Sequence, residues 1–156
     1  MSSFSDSLTS RMARAHQLAV ELLTRYGLPD WTFGFNRRKT EMGLCLYGPR
    51  RIELSIYFVQ RNSDEAIAET LRHEIAHAMA GPGSGHGPVW KQKCQEVGAQ
   101  PERLSHTADM PEGRWRAQCT CGGKLHHKHR KPKHIVGWYC TSCGRDRGRL
   151  CWTPAA

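Results

Sequence analysis

The stretch LRHEIAHAMAGPGSGHG, residues 71–87, decides how the fold of this chain is interpreted. It contains three histidines, His73, His77 and His86, and one glutamate that directly follows the first of them. Apolar residues surround this glutamate, and the pattern predicts a helix over residues 64–80. Residues four apart in a helix share one face, with Cβ atoms about 5–6 Å apart. The helix would therefore bring His73 and His77 together.

Two imidazoles at this spacing can bind one zinc ion, each at about 2.0–2.1 Å. Glu74 projects beside such an ion, where the glutamate of a His-Glu-x-x-His hydrolase site acts as general base. A catalytic zinc needs a third protein ligand and keeps one position open. His86 is the first choice because the three glycines before it permit a sharp reversal of the chain. Glu96, on the next predicted helix, is the alternative ligand.

Four of the seven cysteines form two close pairs near the carboxyl end, which is typical of a closed structural zinc site. The C-x-C spacing of the first pair is less usual than C-x-x-C, so His126 or Cys151 remains an alternative to one thiolate. Cys45 and Cys94 are expected to be ordinary buried thiols. The expected ligands are Cys119, Cys121, Cys140 and Cys143.

The whole net charge of +9 lies in residues 114–156, which hold ten Lys or Arg residues and a single acidic residue, Asp146. Residues 1–113 carry equal numbers of acidic and basic side chains. This asymmetry indicates a module that binds a polyanion, and three of the five tryptophans lie in it. We expect it to bind DNA, with stacking that favours single strands, through Lys128, Arg130, Lys131, Lys133, Trp138 and Tyr139.

Composition excludes a membrane protein. The chain has 156 residues, 38% of them hydrophobic, and a mean hydropathy of -0.62. No run approaches the roughly 18 apolar residues that a membrane span requires. The first 16 residues lack the apolar core of a signal peptide, so we expect a cytoplasmic protein with reduced cysteines. We further expect a monomer, associated with the nucleoid if the source is bacterial.

The remaining pattern gives the order of elements before the cysteine module. Apolar residues at helical spacing predict a first helix, and a period of two predicts a strand at WTFGF. GLCLY and IELSIYF, on either side of GPRR, predict a β-hairpin. Pro88 suits the first turn of a further helix. The corresponding ranges are 5–26 for the first helix, 31–35 for the strand, 43–58 for the hairpin, 88–97 for the last helix and 105–113 for a linker.

Taken in order, HEIAH, GHGPVWK and the C-x-C…C-x-x-C module resemble the SprT-like (Spartan) metalloprotease family, as does the hairpin sequence before them. The resemblance covers about residues 8–150. It implies an α+β fold, with a small zincin-like metalloprotease domain of helices and a small antiparallel sheet in residues 1–110. A small basic zinc ribbon in residues 114–156 would follow. It implies one catalytic and one structural Zn²⁺, with Glu74 as the catalytic residue and, as ligands, His73, His77, His86, Cys119, Cys121, Cys140 and Cys143.

The resemblance implies a zinc endopeptidase that cleaves DNA-bound or DNA-crosslinked proteins, since the better-known members of the family are DNA-dependent proteases. Two alternatives stay open. One is a nucleic-acid-binding zinc protein without catalysis, and the other is a metallopeptidase regulator that cuts one specific repressor. The group that stabilises the oxyanion also stays open, among Tyr57, His106 and several arginines.

Overall fold

The computed structural model describes residues 6–102, 108–122 and 125–155. The fold is α+β, as predicted, and the chain divides into two compact units, Met1–Met110 and Pro111–Ala156. No described helix is both long and apolar enough to cross a membrane. Unit 1 contains, in order, α1 (Leu8–Arg25), β1 (Thr32–Asn36), β2 (Gly43–Leu46), β3 (Arg51–Ser55), α2 (Ile56–Arg61), α3 (Asp64–Ala80) and α4 (Pro88–Val97).

The first helix, α1, is amphipathic and lies inside the predicted range. The Ser7 hydroxyl accepts a hydrogen bond from the Ser10 amide at 3.1 Å and so caps the first turn. At the other end, Gly27 has a φ of 69°, which a residue with a side chain adopts only at a cost. The apolar face is buried against the rest of unit 1 through Ala15, Ala19, Leu22 and Leu23.

The sheet of unit 1 has the order β1-β3-β2. The predicted hairpin is present, because β2 and β3 are antiparallel and Cys45 pairs with Ile52. The predicted small antiparallel sheet is present in the β2–β3 pairing, and β1 extends it by pairing in parallel with β3. Alternation along residues 31–35 indicates a strand but carries no information about the partner of that strand.

The second strand of the hairpin is shorter than predicted, because the chain turns into α2 after Ser55. Phe58 and Val59 are both fully buried. Consecutive residues of a strand point to opposite faces, whereas a helical turn allows both side chains to enter one core. The Arg11 side chain donates to the carbonyl of Val59 at 2.8 Å and to that of Asn62, at the end of this short helix.

The predicted helices over 64–80 and 88–97 are confirmed as α3 and α4. Ser63 caps α3, since its hydroxyl accepts from the Ala66 amide at 3.2 Å. Leu71 and Ile75 are fully buried in α3, as is Trp90 in α4. The core of unit 1 therefore lies directly under the helix that carries two of the three histidines.

Unit 2 consists of short elements around a small core. Among its described residues, one sheet has the order β5-β4-β8 and another the order β6-β7. The core contains Ala117, Leu150, Trp152, and the thiol-bearing Cys119 and Cys140. The elements are β4 (Trp115–Gln118), β5 (Leu125–Lys128), β6 (Trp138–Tyr139), α5 (Gly144–Arg147), β7 (Arg149–Leu150) and β8 (Thr153–Pro154).

Candidate functional site

The first two histidines of the site lie one helical turn apart on α3. His73 is buried and His77 is half-buried, with ring centroids 5.0 Å apart. A turn of three glycines then reverses the chain, because Gly81 and Gly83 have φ values of 83° and 85°. These values lie in the left-handed region that favours glycine. The reversal places His86, just before α4, against the two helix histidines.

The three imidazoles point their Nε2 atoms at one another. His86 Nε2 lies 3.2 Å from His77 Nε2 and 3.3 Å from His73 Nε2. A tetrahedral ion with metal–nitrogen bonds of about 2.0–2.1 Å holds its nitrogen ligands about 3.3 Å apart. The spacing and the donor set are therefore compatible with zinc, with the exposed His86 on the solvent side of the group.

The electrostatics of the site favour the ligating form of the histidines. Burial, followed by the nearby His77 and His86, lowers the pKa of His73 to about 3. Burial and then His86 lower the pKa of His77 to about 4. Both rings are consequently neutral at pH 7, and a neutral imidazole binds metal without first losing a proton.

Trp90 forms the floor beneath the three histidines. Its indole is fully buried on α4, with ring centroids 4.7 Å from His73, 5.2 Å from His77 and 4.5 Å from His86. The ring stacks on His77 and meets the other two edge-on. One aromatic side chain thus restricts the rotation of all three candidate ligands and keeps water from one side of them.

Glu74 lies beside the histidine group and is not a member of it. Its side chain is buried, and burial raises the pKa of the carboxyl to about 8. A cleft of about 410 Å³ passes this residue and His77. The other walls of the cleft belong to the strand β2, to the turn that follows it and to the glycine turn, through Gly43, Leu44, Cys45, Tyr47, Gly83 and Gly85.

Tyr47, in the turn after β2, is a cleft residue that the sequence interpretation missed. Its hydroxyl donates to the His77 carbonyl oxygen at 3.0 Å, and that oxygen also accepts from the Gly81 amide at 3.0 Å. Tyr47 therefore ties the hairpin to the residue that carries a candidate ligand. No local pattern gives this contact, which spans 30 residues of sequence.

Two residues considered for roles at this site do not line the cleft. Glu96 is exposed and pairs with the Lys93 ammonium at 2.8 Å, so the structure does not bring this alternative ligand to the histidines. Tyr57 lies on α2, with the Lys39 ammonium 5.5 Å from its ring. His106 lies outside the described residues.

A second candidate metal group lies in unit 2. The sulfurs of Cys119, Cys121 and Cys143 cluster together. Cys121 Sγ lies 2.9 Å from Cys119 Sγ and 3.2 Å from Cys143 Sγ. Zinc–sulfur bonds of about 2.3 Å hold thiolates about 3.8 Å apart, so binding would spread this group. The donor set is compatible with zinc.

Cys140 lies next to this group, at the start of a tight turn in which the Cys143 amide donates to its carbonyl at 3.1 Å. Burial raises the pKa of the Cys140 thiol, but hydrogen bonds from His126 and from the backbone amides of Ser142 and Cys143 outweigh it and lower the pKa. Backbone and imidazole donors thus favour a thiolate there. Cys151 is exposed and lines a separate cavity of this unit.

The basic residues expected to bind DNA occupy different environments. The Lys128 ammonium lies 3.3 Å from the ring centroid of Trp138 and 5.0 Å from that of Trp152, so it covers aromatic faces within the unit. Lys131 lies 5.8 Å from the ring of Trp115. Arg130 and Lys133 are exposed, and neither lines the cavity described next.

Unit 2 contains a cavity of about 890 Å³ that combines aromatic and basic walls. Trp138 and Tyr139 line it and are about two-fifths exposed. Arg149 lies opposite Tyr139 in the β6–β7 pair, and the Arg145 guanidinium lies 5.2 Å from the tyrosine ring. The sequence interpretation missed these two arginines, although the run GRDRGR contains both.

Comparison with known proteins agrees with this geometry. The model of the SprT-like family matches residues 9–110, which include both helices of the histidine site. The chain therefore belongs to the SprT-like family. This membership and the histidine group indicate a metallopeptidase-like protein.

Curated bacterial relatives extend the similarity beyond unit 1. Protein SprT of Klebsiella pneumoniae strain 342 is 26% identical over 148 residues, covering 88% of this chain and 86% of that protein. Protein SprT of Escherichia coli O139:H28 is 27% identical over 159 residues, covering 88% and 96%. Coverage this high must reach into the cysteine-containing unit. No solved structure matches the chain.

Proposed function

We propose that this protein is a zinc endopeptidase in which His73, His77 and His86 hold the metal and Glu74 is the general base. The observation that carries the proposal is the convergence of three Nε2 atoms at tetrahedral spacing beside a buried carboxyl in an open cleft. A binding module has no need of a carboxylate at this position, whereas hydrolysis requires a group that moves a proton.

When bound, zinc would polarise the scissile carbonyl, favour ionisation of the attacking water and, as a nearby positive charge, lower the pKa of Glu74. The Glu74 carboxylate accepts the proton of the attacking water. The same carboxyl then delivers this proton to the nitrogen of the leaving amine.

The cleft fits an extended peptide better than a compact ligand. Within the described residues, β2 pairs with β3 on one side and has no partner strand on the other. The free edge of such a strand offers backbone N–H and C=O groups to an extended chain, as in β-augmentation. Since β2 lines the cleft beside Glu74, a bound peptide would pass the carboxyl, which suits cleavage within a protein chain.

The direct test compares wild type, Glu74→Gln and Glu96→Gln for zinc content and for cleavage of a basic protein, with and without single-stranded DNA. Glu96→Gln is the matched control, because it makes the same chemical change at an exposed residue outside the cleft. We expect normal zinc in all three and loss of cleavage in Glu74→Gln alone. Full activity of Glu74→Gln would refute the mechanism.

We also propose that unit 2 binds DNA and directs cleavage to DNA-bound or DNA-crosslinked proteins, with nucleoid association as a consequence. The support is the net charge of this unit, together with exposed Trp138 and Tyr139 beside two arginines. Exposed aromatic rings can stack on unpaired bases, while arginines neutralise phosphates. Single-stranded DNA is therefore the expected form.

This second proposal is tested by the salt dependence of binding to a fluorescent single strand. Replacing Arg145 and Arg149 together by alanine should reduce the logarithmic salt slope by about 1.4, or about 0.7 per lost phosphate contact. The matched control replaces two exposed arginines of unit 1, Arg25 and Arg37, and should leave the slope unchanged. Equal slopes for both double variants would exclude this surface.

The same experiments separate the alternatives. Tight DNA binding without cleavage by any variant would favour a non-catalytic zinc protein. Efficient cleavage of one protein in the absence of DNA would favour a dedicated regulator.

A further inference from the structure

The edge strand β2 packs closely on the helix α3 at a residue that has no side chain. Gly43 pairs with Leu54 of the neighbouring strand, and its backbone packs directly on α3. A Cβ atom built at Gly43 would lie 3.0 Å from Cγ of Glu74, 3.1 Å from Oε1 of Glu74 and 3.0 Å from Cγ2 of Thr70. Such distances are shorter than ordinary van der Waals contact.

The backbone of Gly43 does not itself require glycine. Its φ lies outside the left-handed region, so an alanine could adopt the same strand conformation. Glycine is therefore favoured at position 43 because Glu74 and Thr70 lie too close for a side chain there. Both side chains are buried, at 6% and 2% exposure, and have little room to retreat.

We propose that Gly43 is a positioning residue for Glu74: the missing side chain makes the space that holds the carboxyl in its place on the cleft wall. An added methyl group would displace the Glu74 side chain by a few tenths of an ångström. The catalytic consequence rests on the proposed function above, but the steric contact does not. Misplacement of a reacting group by about 1 Å can reduce a rate by about 100-fold, so a smaller shift should still be measurable.

The activity test compares Gly43→Ala with Gly48→Ala. Gly48 lies in the turn of the same hairpin, and a Cβ built there meets no atom within 4 Å. We expect Gly43→Ala to lower kcat by about 10-fold, with KM within twofold of wild type and unchanged zinc content. Gly48→Ala should match wild type in kcat and KM. A wild-type kcat in Gly43→Ala, or an equal loss in both variants, would overturn the proposal.

A stability test needs no enzymatic activity. Melting temperatures are measured for wild type, Gly43→Ala, Glu74→Ala and the double variant, because alanine at position 74 removes two of the three close atoms. Because it overpacks this contact, Gly43→Ala should lower the melting temperature by roughly 5 °C or more when residue 74 is glutamate. When residue 74 is alanine, Gly43→Ala should lower it by less than half as much. An equal fall in melting temperature with glutamate and with alanine at position 74 would refute the proposed contact between position 43 and Glu74.

The two tests distinguish failure of this inference from failure of the proposed function. If wild type cleaves nothing, the proposed function fails, while the four melting temperatures still decide whether Gly43 positions Glu74. If Gly43→Ala does not fold, folding of the double variant supports the proposal, and failure of the double variant to fold counts against it.

Discussion

Glu74→Gln should have opposite effects on activity and on stability. The exchange removes the proposed base while keeping the size of the side chain. In the metal-free protein, burial raises the pKa of Glu74 from 4.5 to about 8. Below pH 4.5 the carboxyl is protonated in both folded and unfolded chains, so its titration does not lower the stability of the folded state. Between pH 4.5 and 8 the unfolded chain releases the proton and the folded chain retains it, so stability is lost as pH rises.

The size of this loss of stability follows from the shift in the pKa of Glu74. One pKa unit corresponds to about 1.4 kcal/mol, so the carboxyl destabilises the folded state by about 3 kcal/mol at pH 7 and by roughly 5 kcal/mol above pH 8. A buried amide without full hydrogen bonding costs about 1–3 kcal/mol at every pH. A buried neutral carboxyl carries a similar cost, so Glu74→Gln should be close to wild type in stability near pH 4.5 and the more stable protein at pH 8.

Urea unfolding of both proteins after chelation of metal, at several values between pH 4.5 and 8, measures the difference in free energy of unfolding. The lowered pKa values of His73 and His77 make both proteins lose stability as pH falls below 6.5, and this contribution cancels in the difference. A difference that stays constant over this range would refute the idea that Glu74 titrates in a buried site.

Three further changes address separate contacts. His86→Ala should reduce the zinc affinity of unit 1 at least 10-fold, as measured by competition with a chromogenic chelator, whereas Glu96→Ala should not. Tyr47→Phe, which keeps the ring and removes the hydrogen bond to His77, should cost about 1 kcal/mol in thermal unfolding and would count against the contact if it cost nothing. Cys140→Ser should lower the zinc content of unit 2, while Cys151→Ser, at an exposed cysteine of the same unit, should leave it unchanged.

Local sequence determined the helix that carries His73 and His77. The helical spacing of its apolar residues, its Ser63 cap and the glycine after its end all lie in one short segment of sequence. The observed bounds of the helix agree with the predicted ones. The return of His86 toward the helix followed from the same stretch, because the three glycines before it permit the sharp reversal that this return requires. These features are local, so tertiary contacts had little opportunity to override them.

The residues after Ser55 show where local pattern failed. The run IYF suits a buried strand and a buried helix equally well. The chain forms a helix there because this conformation buries both Phe58 and Val59 in the core. The parallel pairing of β1 with β3 likewise depends on how the sheet assembles, which no single strand encodes.

The sequence by itself determined which side chains can bind metal, move a proton or carry charge, because those properties belong to residue type and short spacing. Only the tertiary structure decided what surrounds them. Gly43 meets Glu74, Tyr47 reaches the His77 carbonyl, and Trp90 lies under the histidines because β2 and α4 pack on α3. These contacts join residues that are distant in sequence, and they arise from packing forces summed over the whole core.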